Sequence, residues 1–101
     1  MTGYCHYRMP RSKDPRVRAA METVSRNLAR VRKSLGMTQE DAARQAGVLL
    51  NNLARWERGE QWIDPGNLKL LADVYSRPVD HFYLDEPPWL DKDVPTKPRN
   101  P

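Results

Sequence analysis

Asn51 and Arg55 stand four residues apart, the spacing that brings two side chains onto one face of a helix. Each is a residue type that forms two hydrogen bonds to a base edge, Asn to adenine and Arg to guanine, and the neighbouring Leu50 offers an apolar contact to a thymine methyl. Asn52 and Arg58 are donors suited to phosphate oxygens. Bond-breaking chemistry finds no comparable support. The chain has two histidines and one cysteine; Cys5 and His6 are adjacent, His81 is far from both in sequence, and no third or fourth ligand falls at metal spacing. No nucleophile, base and orienting acid can be assembled from that set, and the glycines form no phosphate-cradling loop. The expectation is a binding protein, not an enzyme, with no catalytic residue, metal or cofactor.

Charge narrows the partner. The formal net charge is +4, yet residues 1–34 hold nine Lys or Arg against only Asp14 and Glu22, while from residue 35 onward eight basic residues face eleven acidic ones. A basic first third suits a polyanion, because Lys and Arg that neutralise phosphates release counterions; a solvated charged face is the other reading of the same run. With 101 residues the chain has room for one small domain. Cys5 alone excludes an internal disulfide framework and fits a reducing cytoplasm. No charged-then-apolar leader occurs, and no apolar run approaches the roughly 20 residues needed to span a bilayer, so the expectation is a soluble, cytoplasmic protein with no membrane partner.

The elements that would position Asn51 and Arg55 follow from caps and periodicity. Asp14 and Pro15 form a cap-plus-proline start for a first helix, whose apolar stripe runs Val17, Met21, Val24, Leu28, Val31, Leu35 until Gly36 stops it. Arg26, Arg30 and Lys33 fall on another face. Thr38, with Asp41 three residues on, caps a short second helix that carries Ala42, Ala43 and Ala46 and ends at Gly47. A third segment, Val48 to Glu57, keeps helical spacing through Leu49, Leu53 and Trp56, and Gly59 closes it. Asp64 and Pro65 start a fourth helix with Leu68, Leu71, Ala72 and Tyr75 on its inner face, and a last turn holds Val79, Phe82 and Leu84. The chain thus reads as all-α with five helices: a basic arm over residues 1–13, a helical domain over 14–84 with a helix-turn-helix unit at about 38–58, and a proline-rich, extended tail over 85–101. A short helix, a glycine turn and a second amphipathic helix match helix-turn-helix logic, although helical hairpins of this size also serve as plain core elements.

The registers RKSLGMTQEDAARQAGV, NNLARWERGE and LKLLADVY resemble the phage-repressor-like helix-turn-helix family of Cro and lambda-type repressors, over about residues 24–84. That resemblance implies a compact five-helix fold and sequence-specific binding of double-stranded DNA, usually as a homodimer on an inverted repeat, with repressor or autoregulator as the expected role. It implies base reading by Leu50, Asn51 and Arg55 of the third helix and phosphate contacts by Gln39, Asn52 and Arg58. Gln39 would act at a helix N-terminus, whose free N–H groups favour an anion. It also implies a buried ion pair between Arg32 and Glu57, a solvated pair being the alternative. The final turn, with Val79, Phe82 and Tyr83, is the family's frequent dimer surface.

The sequence departs from that family in ways that bear on function. Leu49 stands where a Ser or Thr usually caps the third helix, and Leu49 with Leu50 forms an apolar edge suited to a protein partner. Glu60 and Gln61 replace basic residues after that helix, and Ser76 replaces a common glycine. Val17 and Met21 extend the first helix beyond the usual core, so a second protomer, the tail residues Trp89 and Leu90, or another protein is expected to cover them. The rival function on the same fold is an adaptor or anti-activator gripping another regulator through Leu49 and Leu50 or through the tail; an antitoxin that also represses its own genes is a further alternative.

Overall fold

The Asp14 carboxylate accepts the Arg16 backbone N–H at 2.8 Å, and Pro15 takes the first helical position, where a missing N–H costs nothing. From this start α1 runs Pro15–Ser34. The structure, a computed structural model, describes residues 13–89; the expected arm up to Ser12, with Cys5 and His6, and the segment from Leu90 onward lie outside the described residues. Thr38 caps α2, Gln39–Ala46, in the expected capping box: its hydroxyl accepts the Asp41 N–H at 3.0 Å and the Asp41 carboxylate accepts the Thr38 N–H at 3.4 Å. Gly47, at φ +74°, takes the left-handed turn into α3, Leu50–Arg58. Asp64 and Pro65 then open α4, Pro65–Tyr75.

The fifth helix is a correction. Val79–Tyr83 forms a single 3₁₀ turn, so the described residues hold four α-helices and one such turn, with no strand. Pro78 removes a backbone donor at its start, and five residues are too few to sustain α-helical hydrogen bonding. Ser76 stands at φ +57°, ψ +46°, in the left-handed conformation usually given to glycine. The left-handed turn is made here by a serine, at a steric cost.

Val24, Leu28 and Val31 of α1 meet Ala42 and Ala43 of α2, Leu53 and Trp56 of α3, and Leu68, Leu71, Ala72 and Tyr75 of α4, with Phe82 of the 3₁₀ turn closing the core. The small Ala42 and Ala43 let α2 approach closely, which brings α3 into a fixed position. The ends of the α1 stripe lie outside this core: Val17 and Leu35 are each 41% exposed. Leu49 is the extended cap residue of α3, the place expected for it, and is 70% exposed.

Residues just past Leu84 pack on the helical body. Asn27, fully buried on α1, donates to the carbonyls of Phe82 at 2.9 Å and Leu84 at 2.8 Å, and so holds the end of the 3₁₀ turn against α1. Beyond it Asp85 meets Thr23 and Arg26, Pro87 is fully buried, and the half-buried Trp89 lies with its ring centroid 5.9 Å from that of Phe82. Prolines forbid a helix there but not burial, so residues 85–89 form a strap across the body. No described helix is long and apolar enough to cross a membrane.

Candidate nucleic-acid interface

Leu53 and Trp56 are buried, and that fixes which side of α3 faces outward. Asn51, Arg55 and Arg58, at successive spacings of four and three, are all exposed; Leu50 is 39% exposed and Asn52 half-buried at the edge. The structure thus brings the residues expected to read bases onto one outer stripe. Neither Asn51 nor Arg55 makes a side-chain hydrogen bond among the described residues, although the Arg55 charge acts on Glu60. Arg58 is engaged: it donates to both Glu60 oxygens, at 2.7 and 3.1 Å, in a half-exposed pair. That hydrogen bond lowers the Glu60 pKa, so the carboxylate stays ionised and competes with any phosphate for Arg58.

Behind the stripe, a buried network sets the angle of α3. Arg32 of α1 donates from Nε to Glu57 Oε2 at 2.7 Å and from Nη2 to Oε1 at 3.0 Å, a two-pronged pair with side chains only 10% and 5% exposed. The pair raises the Arg32 pKa against the opposing effect of burial. Arg32 Nη1 donates to the Met37 carbonyl at 2.8 Å, which ties the turn before α2 to the same guanidinium. Gln39, expected to hold a phosphate, donates from Nε2 to Glu57 Oε1 at 2.9 Å. Its primary amide has two N–H groups, and one remains for an anion. Glu57 thereby joins α1, α2 and α3. The Gln39 bond has no sequence signal, since it spans 18 residues and neither residue's spacing reveals the other. Tyr75 lies fully buried near this network; burial above all, and the Glu57 charge beside it, push its hydroxyl pKa well up and keep it neutral.

At the α3 start, Leu49 makes no side-chain cap hydrogen bond, as its residue type requires. Of the residues expected at a dimer surface, Val17 and Tyr83 are exposed at 41% and 46%. Met21, Val79 and Trp89 are half-buried against the protein's own core. Phe82 is a correction: it is fully buried and offers no surface to a partner, because the 3₁₀ turn rotates it inward as the closing residue of the core. Leu84, 43% exposed beside Tyr83, takes the outward place instead. Among the described residues no group of three or more His, Cys, Asp or Glu is placed to hold a metal ion.

Comparison with known proteins agrees with this geometry. A helix-turn-helix family model matches residues 28–82, more than half of the chain, and the match includes α2, α3, α4 and the Arg32–Glu57 pair. A protein of Rhodospirillum rubrum named as an uncharacterized transcriptional regulator in the ATPase CF(0) region is 29% identical over 77 residues, which are 76% of this chain and 71% of that protein.

Proposed function

The chain belongs to the helix-turn-helix family, and from that membership we propose that it is a regulator of transcription that binds double-stranded DNA sequence-specifically through α3. In this reading it acts as a homodimer on an inverted repeat, as a repressor or autoregulator. The observation that carries the proposal is the outer stripe of α3. Asn51 and Arg55 stand exposed, with side chains that make no hydrogen bond among the described residues, on a helix whose inner side is locked by Leu53, Trp56 and the Glu57 network. A helix held this rigidly offers its side chains to the major groove with little further ordering. Leu50 would touch a thymine methyl, Asn52 and Arg58 would hold phosphates, and Gln39 would add the free N–H at the α2 start. Dimerisation follows from the arithmetic of recognition, since one short helix reads too few base pairs to select a single genomic site.

Leu49, 70% exposed beside Leu50, favours a second reading: an interaction protein that grips another regulator, or a toxin, through this apolar edge. Selection of bound duplexes from a random-sequence library separates the two. The DNA reading expects enrichment of an inverted repeat with half-site centres about 10 bp apart or a multiple of that, bound by two protomers per duplex. Absence of any enriched sequence would transfer the function to the apolar edge.

A further inference from the structure

α1 and the end of α3 enclose a shallow, largely apolar cleft of about 440 Å³ whose charged lining is Arg26, Arg30 and Lys33 of α1 and Arg58 of α3, together with Glu22 and Glu57. Gly59, just past the end of α3, lies beside Ser25 of α1, a Cβ at that position standing at ordinary contact distance, 3.9 Å, from Ser25 Oγ. Arg26, Arg30 and Lys33 repeat the spacing of Asn51, Arg55 and Arg58, so each helix carries one outward stripe of seven-residue span, roughly 10 Å long. Arg58 belongs to both the α3 stripe and the cleft. Arg58 thus links the surface expected to face bases to the cleft beside α1. Glu22 bounds the cleft at the α1 end away from Lys33, and the Glu57 carboxylate in its wall is already neutralised by Arg32.

We propose that Arg26, Arg30 and Lys33 form an auxiliary track for the backbone phosphates of the DNA that α3 engages, and that Asp85 of the strap is its internal counter-charge. This rests on the DNA-binding reading above and extends it to a second element. Three cations spread over roughly 10 Å have the reach to meet neighbouring phosphates of one strand. The track is partly occupied from within the chain. Asp85 Oδ1 accepts from Arg26 Nη2 at 3.4 Å, and the Asp85 carbonyl accepts from Arg30 Nη1 at 3.1 Å. Both Arg26 and Asp85 side chains are about half or more exposed, at 49% and 83%, so a phosphate can displace the carboxylate without unfolding anything. Lys33 is exposed, its ammonium makes no hydrogen bond among the described residues, and it is the track's open end. The strap thus sets how strongly the track attracts DNA.

The test measures dissociation constants across a salt series for the full chain on two duplexes: the one selected as above, extended beyond both half-sites, and one of unrelated sequence. Lys33→Gln is expected to weaken binding to both and to make the log–log salt slope shallower by about 1 per protomer, with base preference unchanged. Lys69→Gln removes the same charge from α4 and is expected to leave the slope as in wild type. Asp85→Asn, which frees Arg26, is expected to tighten binding to both duplexes by roughly two- to fivefold. Glu86→Gln, with an equal change in net charge and no contact with the track, should not. Circular-dichroism melting accompanies each variant, because Asp85 also accepts from Thr23. Equal slopes for the two lysine variants, or equal affinities for the two strap variants, would overturn the track while leaving recognition by α3 standing. A wild-type chain that binds neither duplex would overturn both readings.

Discussion

With its two oxygens taken by Arg32 Nε, Arg32 Nη2 and Gln39 Nε2, Glu57 is the side chain that relates α3 to the rest of the molecule. Removing it strands a guanidinium that is nine-tenths buried. Glu57→Ala is expected to destabilise the fold by roughly 3–5 kcal/mol, measured by urea or thermal unfolding, and an unchanged midpoint would contradict the network's role. Leu49 is the opposite case, a residue whose replacement should help. Ser at that position can accept from the free N–H groups of the α3 start, so Leu49→Ser is expected to stabilise by about 1 kcal/mol. An unchanged melting temperature would show that another group already caps this end. At this scale the sequence was partly legible. Asn51, Arg55 and Arg58 could be placed on one face from spacing alone, and the Arg32–Glu57 pair from family resemblance. Asn27, Asp85 and the Gln39–Glu57 bond could not be seen, because each joins residues 18 or more apart and nothing local marks the partner.

The helices begin where carboxylates and hydroxyls can cap them, and that is why their starts were readable at Asp14, Thr38 and Asp64. These caps also make a pH prediction. Burial pulls the Asp64 pKa up, but hydrogen bonds from the Asn67 side chain and backbone outweigh it, and the net shift is downward from 3.8. A carboxylate with a lowered folded pKa contributes stability that is fully present above its unfolded pKa and is lost as pH falls through the folded one. Acid unfolding between about pH 4 and pH 2 should therefore be shallower in Asp64→Asn than in wild type. Stability at pH 7 should stay close to wild type, since Asn caps nearly as well as Asp. Identical acid profiles in the two proteins would contradict the cap's contribution. Where an element was misread, cooperativity decided: the final turn lacked the length for an α-helix.

For the molecule as a whole, part of the basic charge of residues 1–34 lies on α1 as Arg26, Arg30 and Lys33, which line one cleft with Arg58 of α3. The self-association in the proposed function would draw on what remains outward near the other end of α1 and the 3₁₀ turn: Val17, Tyr83 and Leu84, all more than 40% exposed. Phe82 and Trp89, occupied in the protein's own core, narrow that surface to a smaller patch than the sequence suggested. The central claim is that α3 reads bases. Its most direct measurement is the base preference of Arg55→Ala, obtained by competing single-position variants of the selected duplex against one another. The expected result is a loss of about 1–3 kcal/mol of discrimination at one symmetric pair of positions, with preference elsewhere and the melting temperature unchanged. A variant that binds with wild-type affinity and an unaltered preference at every position would contradict it.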